Sequence, residues 1–486
     1  MKHYVAVDIG ASSGRLMYSQ LVEGKITLKE VHRFKNGFTN IAGHDRWDIE
    51  HLLEEILIGL AKLKQNGITE CILGIDTWAV DYCLVDQQGN LLFQPIAYRD
   101  ERTKTAITDF SKHYSLDRLY TRTGIQLQPF NTLFQLWVED RALLQQADKL
   151  LLIPDYLGFC LTGKMVTEKT NASTTQLLNV HTKTWDEELL ELLQLPKSLF
   201  APLVDAGTTL GELKQERFAA YDLPKTIVVN VASHDTASAI IGTPGQSSNW
   251  AYLSSGTWSL LGVESSVENI SQAAFLANYT NEWGAHNTIR FLKNIMGMWL
   301  IQEVAREDHY THSYAEIAQM ASEVPAFQQL VDVNAAAFLN PTSMTQAFKD
   351  YCQQTNQKVP QTLAEVAHCI YDNLALCYAY ELEQLMKLTQ TENKIDALHI
   401  VGGGSNNAFL NQLTADIAQI KVIAGPAEAT ALGNIMMQMI NQGEFQSIQE
   451  ARKALAHSFD YASYLPQALN QDILANYHQF MTTNRN

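Results

Sequence analysis

Residues 4–21 read Tyr-Val-Ala-Val-Asp-Ile-Gly-Ala-Ser-Ser-Gly-Arg-Leu-Met-Tyr-Ser-Gln-Leu, and this stretch decides the fold class. A short apolar run at residues 4–7 is followed by Asp8 and a turn of small residues at 10–14. A second run with alternating apolar residues comes next, and Gly24 begins a third candidate strand. Apolar runs joined by such turns predict a β-meander.

A helix and a buried strand follow the meander. Asp48 is expected to cap a helix whose apolar residues recur every three or four positions up to Leu63, and Gly67 ends that helix. The run Cys71–Ile75 predicts a buried strand that stops at the polar residues after it. Strands followed by a helix and a further strand predict an α/β layered domain.

The same opening pattern returns after residues 242–249, Gly-Thr-Pro-Gly-Gln-Ser-Ser-Asn, which are the clearest linker signal in the chain. Apolar runs at 250–253 and 258–263 flank a turn, Ser-Ser-Gly-Thr. We therefore predict two similar α/β domains that face each other across a cleft, at residues 1–244 and 245–486.

The second half also contains a long helical pattern over Leu363–Leu388. A buried strand is predicted from Ile395 to Val401, and a helix from Ala408. The glycines at 402–404 between them either form a tight turn or let a flat ligand, such as an adenine nucleotide, approach the backbone.

Composition limits the classes of partner. The chain has 35 Lys and Arg against 52 Asp and Glu, a net charge of −17, with 46% hydrophobic residues, which is typical of a globular protein. An acidic chain without clustered basic residues is not expected to bind nucleic acid. A ligand phosphate must be met locally, by backbone amides, a metal ion or single basic side chains.

The compartment is predicted from three absences. The six cysteines form no CxxC pair, Asp8 interrupts any signal-peptide core, and no run of 18 apolar residues exists. We expect a cytoplasmic protein with reduced thiols and no membrane partner, either a monomer or a weak homo-oligomer.

The turn at Gly10–Gly14 has three interpretations. It matches the G-x-S-x-G pattern of a hydrolase nucleophile, but that motif needs a strand before it and a helix after it. It also fits a plain hairpin turn. The favoured interpretation is an anion cradle, in which backbone N–H groups bind phosphate, Asp8 holds Mg²⁺ through water and Arg15 adds positive charge.

Asp235 follows an apolar strand and precedes small helical residues. It could simply cap that helix. It could also be the general base that accepts a hydroxyl proton during phosphoryl transfer.

The chain contains no Walker A sequence, and His309 and His312 lack the further ligands that a zinc site needs. The stretch Tyr98–Arg102 suits a solvated turn or the lining of a polyol pocket.

Several stretches together carry a family resemblance. They are Val-Ala-Val-Asp-Ile-Gly-Ala-Ser-Ser-Gly-Arg at 5–15, His-Arg-Phe-Lys-Asn-Gly at 32–37, Gly-Ile-Asp-Thr-Trp at 74–78, Tyr-Arg-Asp at 98–100, Ala-Ser-His-Asp-Thr-Ala-Ser at 232–238, Leu-Ser-Ser-Gly-Thr-Trp-Ser at 253–259, Lys-Asn-Ile-Met-Gly-Met-Trp at 293–299 and Val-Gly-Gly-Gly at 401–404. Over almost its whole length the chain resembles the FGGY carbohydrate kinases, within the actin-like ATPase group.

The resemblance implies two ribonuclease-H-like domains, with the sugar mainly in the first and ATP in the second. It also implies transfer of the ATP γ-phosphoryl group to the 1-hydroxyl of L-rhamnulose, a step of rhamnose metabolism, with Mg²⁺. Asp235 would accept the proton. The other implied contacts are Ala11, Ser12, Ser13, Gly14, Arg15, Thr257, Gln302, Gly402, Gly403 and Gly404 for ATP, and Ala79, His234, Thr236 and Asn294 for the sugar.

One residue departs from the family pattern. Ala79 stands where the family often has glycine after Asp-Thr-Trp, so an added methyl group could alter the fit of the sugar. Two other functions stay open. One is a kinase for another ketose or polyol, such as fuculose, xylulose or glycerol, and the other is an actin-like ATPase without sugar chemistry.

Overall fold

The computed structural model describes residues 1–247, 249–391, 395–469 and 472–484. The described residues form two compact units. Unit 1 takes its residues from 1–246, 264–291 and 429–459, and unit 2 from 247–263, 292–428 and 460–486. The chain therefore returns to unit 1 twice after the predicted linker, of which Ser248 lies outside the described residues.

Both units contain strands and helices. The strands are β1 (Tyr4–Ile9), β2 (Ser13–Ser19), β3 (Leu21–Val22), β4 (Lys25–Ile26), β5 (Lys29–Lys35), β6 (Phe38–Ile41), β7 (His44–Trp47), β8 (Glu70–Thr77), β9 (Tyr82–Val85), β10 (Lys149–Leu152), β11 (Thr167–Glu168), β12 (Leu178–Asn179), β13 (Thr184–Trp185), β14 (Leu203–Val204), β15 (Thr208–Glu212), β16 (Lys225–Asn230), β17 (Trp250–Ser255), β18 (Trp258–Ser265), β19 (Thr280–Trp283), β20 (Ile289–Met296), β21 (Ala397–Val401), β22 (Lys421–Ala424) and β23 (Ala462–Tyr464).

The α-helices are α1 (Ile49–Gln65), α2 (Ala106–Ser111), α3 (Leu116–Thr123), α4 (Thr132–Trp137), α5 (Arg141–Gln146), α6 (Ile153–Thr162), α7 (Lys169–Ser173), α8 (Glu187–Leu192), α9 (Asp235–Ile241), α10 (Gln272–Leu276), α11 (Trp299–Glu307), α12 (Tyr314–Ser322), α13 (Met344–Gln354), α14 (Leu363–Thr389), α15 (Ala408–Ala418), α16 (Ala429–Asn441), α17 (Ile448–Ala456) and α18 (Asp472–Asn484). The helices predicted near residues 363–388 and from Ala408 are confirmed as α14 and α15.

A six-stranded sheet with the order β15-β16-β8-β1-β2-β5 forms the centre of unit 1. Strand β1 pairs antiparallel with β2 and parallel with β8, and β8 pairs parallel with β16. All residues of β1 are buried, as expected for a central strand that is covered on both faces. The meander predicted at the start of the chain is therefore part of a larger sheet that contains both parallel and antiparallel strand pairs.

The structure corrects two strand boundaries. Gly24 does not begin a strand of the sheet, because it lies in the turn of the short hairpin β3–β4 with a φ of +76°, and the third strand of the meander is β5. Strand β8 does not end at Ile75, because its ladder with β1 continues to Thr77. Asp76 is therefore a strand residue with a fixed orientation.

Helix α1 begins and ends where the sequence predicts. Oδ1 of Asp48 accepts a hydrogen bond from the backbone N–H of His51 at 3.0 Å, and Gly67 follows the helix with a φ of +87°. The apolar stripe of α1 is buried in the same core cluster as Val5 and Leu73 of the central strands. Burial of one apolar face, more than helix propensity, is what stabilises such a helix.

Helix α16 completes unit 1 although it lies far along the chain. It packs so closely on α9 that two glycines are required, one directly after α9 and one within α16. A Cβ at Gly242 would lie 2.0 Å from the carbonyl oxygen of Ala429, and a Cβ at Gly433 would lie 1.8 Å from that of Ser238. The side chains of α16 belong to a core cluster that also contains residues of β1 and β16.

The strands of unit 2 repeat the arrangement of unit 1. They follow the order β20-β18-β17-β21-β22-β23. Strand β17 pairs antiparallel with β18 and parallel with β21, as β1 does with β2 and β8. The repeated pattern of strand, turn and strand in the sequence is confirmed as a repeated sheet arrangement.

Among the described residues, no helix combines the length and the apolar character that a membrane-spanning segment requires. Five of the six cysteines are buried, and Cys160 is partly exposed.

Candidate active site

Two carboxylates lie side by side on neighbouring strands of unit 1. Asp8 on β1 and Asp76 on β8 are partners in a parallel ladder, so their side chains project from the same face of the sheet. Arg15 on β2 is the antiparallel partner of Asp8. Its Nε and Nη2 atoms donate to Oδ2 of Asp8 at 3.1 and 2.9 Å. Asp8, which is predicted to hold the metal ion, and Arg15, which is predicted to bind phosphate, are therefore hydrogen-bonded to each other in this structure.

Asp76 is completely buried, and only one of its oxygens has a hydrogen-bond partner. Asn434 on α16 donates from Nδ2 to Oδ2 of Asp76 at 2.5 Å, whereas no described residue donates to Oδ1. Gln438 donates from Nε2 to Oδ1 of Asn434 at 2.7 Å and to the carbonyl oxygen of Val5 at 2.8 Å. Burial raises the pKa of Asp76 well above its ordinary value, and the negative charge of Asp8 raises it further.

Gly74 leaves the space that this pair of amides occupies. A Cβ at position 74 would lie 2.4 Å from Oδ1 of Asn434, 2.5 Å from Cγ1 of Val231 and 3.0 Å from Nε2 of Gln438. The glycine of the Gly-Ile-Asp-Thr-Trp stretch is thus required by helix α16. Its physical role is to let the amides reach Asp76, two residues further along β8.

Strand pairing and a buried glutamate fix the loop that leads into α9. Thr77 at the end of β8 forms a parallel bridge with His234, and its N–H donates to the carbonyl oxygen of Ser233 at 2.9 Å. Oε2 of Glu168 accepts hydrogen bonds from the N–H and the hydroxyl of Ser233 at 3.1 and 3.0 Å. Asp235 then follows as the first residue of α9.

Asp235 is held by its own helix but remains accessible. Its Oδ1 accepts hydrogen bonds from the N–H and the hydroxyl of Thr236, at 2.5 and 3.1 Å. The N-cap residue of α9 is His234, so Asp235 is not the cap that one interpretation predicts. Its side chain is 32% exposed, so a substrate hydroxyl can reach it. Loss of hydration raises its pKa; nearby His234 opposes this shift, whereas Asp8 adds to it.

A buried ion pair lies against His234. Nη2 of Arg290 lies 3.0 Å from Oε2 of Glu282 and 3.1 Å from Nδ1 of His234. The other ring nitrogen, Nε2, lies 3.3 Å from Oδ1 of Asp235. The side chains of Arg290 and Glu282 are 1% and 7% exposed.

The turn at residues 10–14 joins two strands, so it lacks the strand-to-helix context of a nucleophile elbow. Its ends are tied by a hydrogen bond from the N–H of Gly10 to the carbonyl oxygen of Ser13 at 2.9 Å. The backbone N–H of Asn36 donates to the carbonyl oxygen of Ser12, and its Nδ2 donates to the carbonyl oxygen of Gly10. Gly14 is required because a Cβ would lie 2.1 Å from the Phe34 ring. Ser12 is exposed at the tip of the turn.

The loop after β8 contains Ala79, and its backbone conformation does not require glycine at this position. The positive φ in this loop, +67°, belongs to Val80 and not to Ala79. Such a conformation is strained for a β-branched residue. Asp81 holds the loop by accepting hydrogen bonds from the indole N–H groups of Trp47 and Trp78 at 2.7 and 2.9 Å.

For the stretch Tyr98–Arg102 the sequence left two interpretations, a solvated turn or the lining of a polyol pocket. The hydrogen bonds of Asp100 favour the turn. Its carboxylate accepts hydrogen bonds from the backbone N–H groups of Asp45 and Arg102, at 2.9 and 3.0 Å.

Unit 2 brings the predicted nucleotide contacts onto neighbouring elements. Thr257 lies in the turn between β17 and β18, and its carbonyl oxygen accepts a hydrogen bond from the N–H of Trp299 at 3.2 Å. Trp299 begins α11, and Gln302 follows one turn later on the same helix. Asn294, the residue predicted to reach the sugar, is half-buried on β20.

The three glycines after β21 have different surroundings. Gly402 has a φ of +82°, and a Cβ there would lie 2.9 Å from the carbonyl oxygen of Ser255. A Cβ at Gly404 would lie 1.9 Å from Oγ of Ser255. A Cβ at Gly403 would meet no atom within 4 Å, and this residue is exposed. Close packing therefore explains two of the glycines, whereas open space adjoins the third.

The structure thus brings together two groups of predicted residues, one in each unit. In unit 1, Asp8, Arg15 and the His234–Thr236 segment are neighbours. The sequence did not single out the buried residues around them, which are Asp76, Glu168, Glu282, Arg290, Asn434 and Gln438. For Asp76 a signal was present, because it stands within the Gly-Ile-Asp-Thr-Trp stretch.

The donor atoms near Asp8 suit Mg²⁺. The described residues contain no group of three or more His, Cys, Asp and Glu side chains that could hold a metal ion directly. Asp8 keeps Oδ1 for a ligand while Arg15 binds Oδ2, and Oδ1 of Asp76 is buried without a partner. Oxygen donors that are few in number fit Mg²⁺, which retains several of its waters.

Two sequence profiles match the chain. The N-terminal domain of the FGGY family of carbohydrate kinases matches residues 3–242, and the C-terminal domain of that family matches residues 251–441. The chain belongs to the FGGY family of carbohydrate kinases. The family works on a small-molecule sugar and uses ATP, so both predictions are confirmed for this carbohydrate kinase.

Relatives of this FGGY kinase cover its full length. It is 60% identical to a rhamnulokinase of Enterococcus faecalis, over 98% of this chain and 97% of that protein. It is 52% identical to a rhamnulokinase of Ligilactobacillus salivarius, over 100% of both chains, and 51% identical to one of Bacillus subtilis, over 97% of both chains.

Solved structures share the fold at low sequence identity. A ligand-bound xylulose kinase from Lactobacillus acidophilus gives a TM-score of 0.78 at 19% identity, over 99% of this chain and 97% of that chain. A glycerol kinase from Plasmodium falciparum with ADP gives a TM-score of 0.79 at 17% identity, over 100% and 98%. The predicted fold class, α/β with two actin-like ATPase domains, is confirmed.

Proposed function

We propose that this kinase transfers the γ-phosphoryl group of ATP to the 1-hydroxyl of L-rhamnulose, giving L-rhamnulose 1-phosphate and ADP. The observation that carries the proposal is the identity of 51–60% to full-length rhamnulokinases. The geometry of unit 1 supports the chemistry, because an accessible carboxylate begins α9 beside the Asp8–Arg15 pair. The expected cytoplasmic location, the monomeric or weakly oligomeric state and the boundary near residue 244 stay predictions.

Asp235 is proposed as the catalytic base. As the sugar oxygen bonds to phosphorus and the bond from phosphorus to the ADP oxygen breaks, the hydroxyl proton passes to the Asp235 carboxylate. His234 and Thr236 would contact the sugar from either side of Asp235 in the chain, and Ala79 and Asn294 would contact it from the β8 loop and β20. Positioning of this kind supplies most of the rate gain in phosphoryl transfer.

The proposed nucleotide contacts lie on two sets of elements. Residues Ala11–Arg15 would bind phosphate oxygens, with Arg15 exchanging part of its contact with Asp8 for a phosphate. Thr257, Gln302 and the glycines at 402–404 would bind the remainder of ATP. Asp8 would hold Mg²⁺ through water, with the buried Asp76 beside it. When bound, Mg²⁺ neutralises charge on the β- and γ-phosphates.

The test is ADP release by the purified protein with Mg-ATP and one sugar at a time. L-rhamnulose, L-fuculose, D-xylulose and glycerol form the panel, and the phosphorylated position is read by NMR of the product. Strong dependence on L-rhamnulose with phosphate on the 1-hydroxyl is the expected result. Preference for another acceptor would keep the family chemistry but reject the substrate. Equal ADP release without any sugar would reject the sugar kinase altogether.

A further inference from the structure

We propose that the Glu282–Arg290 ion pair fixes the tautomer of His234, and that this leaves Oδ2 of Asp235 as the oxygen that accepts the sugar proton. The inference rests on the proposed function, because it deepens the role of Asp235 as the base. Glu282 and Arg290 are positioning residues that act through His234.

The three side chains come from separate parts of the chain but lie within unit 1. Glu282 lies on β19 and Arg290 on β20, which unit 1 recruits through residues 264–291. Nε of Arg290 donates to the carbonyl oxygen of Trp283 at 3.3 Å, which orients the guanidinium group. Its Nη2 is within hydrogen-bond distance of Nδ1 of His234, and it lies 3.0 Å from Oε2 of Glu282, an oxygen to which no described residue donates a hydrogen bond.

The guanidinium group decides which ring nitrogen of His234 carries the proton. Arginine donates only and is not deprotonated in proteins. Because Nη2 of Arg290 lies 3.1 Å from Nδ1, that nitrogen must be the acceptor. Oε2 of Glu282 lies 3.4 Å from the same nitrogen, but a proton on Nδ1 would face the arginine donor. In this arrangement the ring hydrogen of His234 lies on Nε2.

This tautomer has a consequence for the base. Nε2 of His234 lies 3.3 Å from Oδ1 of Asp235, so a hydrogen on Nε2 places positive partial charge on the Oδ1 side of the carboxylate. Oδ1 accepts from the N–H and hydroxyl of Thr236. Two hydrogen bonds and the nearby Nε2–H edge of His234 therefore lie on the Oδ1 side, whereas no described residue donates to Oδ2. A general base needs an accessible lone pair, so Oδ2 is the oxygen that receives the proton.

The burial of the ion pair also points to function. Replacing a buried ion pair by apolar residues is often neutral or stabilising, so such a pair is weak support for stability as its purpose. Nη1 of Arg290 finds no hydrogen-bond partner among the described residues, although the side chain is only 1% exposed. A charge that is kept buried at this cost and aimed at His234 is explained by its effect on that ring.

The direct test is ¹⁵N NMR of the substrate-free protein at pH 7.5, labelled at histidine. The chain has 14 histidines, so the His234→Gln variant identifies the signals of His234. We expect an unprotonated Nδ1 and a protonated Nε2. A proton on Nδ1, or on both nitrogens, would overturn the inference. Because no sugar or ATP is present, this result does not depend on the proposed function.

A kinetic cycle tests whether the pair acts through His234. The double substitution Glu282→Gln/Arg290→Met removes both charges, so neither is left buried alone. We expect it to lower kcat about tenfold in the native background, within the range of couplings between contacting residues, and to cause no further loss in the His234→Gln background. Losses that multiply in both backgrounds would contradict a role through His234.

The matched control is Glu188→Gln/Arg118→Met, which removes an exposed ion pair of unit 1 and should leave kcat unchanged. If the buried double variant does not fold, the NMR result on the native protein alone decides. If His234 has the expected tautomer but no sugar supports ADP release, the proposed function fails while the geometric inference stands.

Discussion

Asn434 and Asp76 are 358 positions apart in the chain, yet the amide of one donates to the carboxylate of the other at 2.5 Å. This bond links helix α16 to the strand next to Asp8. Since Gln438 holds the amide of Asn434 in turn, the orientation of Asp76 depends on two residues that no local sequence pattern connects to it.

We expect Asn434→Ala to lower the free energy of unfolding by about 1.5–3 kcal/mol, because it leaves a buried carboxylate without a partner. Urea denaturation measures the change. Asn441→Ala, on the same helix but near the surface, is the control and should cost less. The double variant Asn434→Ala/Asp76→Asn should recover part of the loss, and additive losses would show that the bond is not what couples the two residues.

Asp235→Asn should lower kcat by at least roughly 10²-fold, since the amide cannot accept the sugar proton. Steady-state kinetics with L-rhamnulose and Mg-ATP measures the loss. Asp205→Asn, at an exposed carboxylate that pairs with Lys169, is the control and should keep kcat. A variant with near-native turnover would reject Asp235 as the base.

Gly403→Ala and Gly404→Ala should separate nucleotide binding from folding. The methyl group at 403 meets open space in the protein, so Tm should not change, whereas crowding a bound nucleotide by about 1–3 kcal/mol would raise the KM for ATP about 5- to 150-fold. Gly404→Ala should instead lower Tm, because it collides with Ser255. An unchanged KM for ATP in Gly403→Ala would place the nucleotide elsewhere.

Asp81 gives the stability of unit 1 a specific pH dependence. Burial raises the pKa of Asp81 to about 6, so between about pH 4 and 6 the native state binds a proton that the unfolded state does not. The contribution of Asp81 to the free energy of unfolding therefore grows as the pH falls through this window, by at most about 1.4 kcal/mol per pH unit.

Urea denaturation of the native protein and of Asp81→Asn from pH 7 to pH 4 tests this sign. The stability difference should widen as the pH falls. Asp86→Asn is a control of opposite sign, because hydrogen bonds, first among them that of Asn90, lower the pKa of the exposed Asp86. A difference that stays constant for Asp81→Asn would mean that its carboxyl group titrates at the same pH in both states.

Local patterns were sufficient for much of the fold. The turn between β1 and β2, the cap of α1 at Asp48 and the helix after Ala408 depend on neighbours within a few residues, so the sequence predicts them. The prediction that β8 ends at Ile75 was wrong. Asp76 is polar, and polar residues normally mark the end of a buried strand. Pairing with β1 outweighed that preference.

The surroundings of the candidate site could not be predicted in the same way. Glu282, Arg290 and Asn434 reach the site through tertiary contacts, and nothing in their own neighbourhoods differs from an ordinary strand or helix. His234 and Asp235 were found because they stand together in one recognisable stretch. Glu282 and Arg290 come from residues 264–291, and Asn434 comes from residues 429–459.

The order of those segments matters during synthesis. The ribosome has made all of residues 1–246 long before α16 (Ala429–Asn441) leaves the exit tunnel. Until then Asp76 has no amide partner, and the apolar side chains that α16 covers are exposed to water. During this interval the growing chain exposes apolar surface of the kind that chaperones bind. The enzyme therefore gains its arranged carboxylates only after α16 has been synthesised.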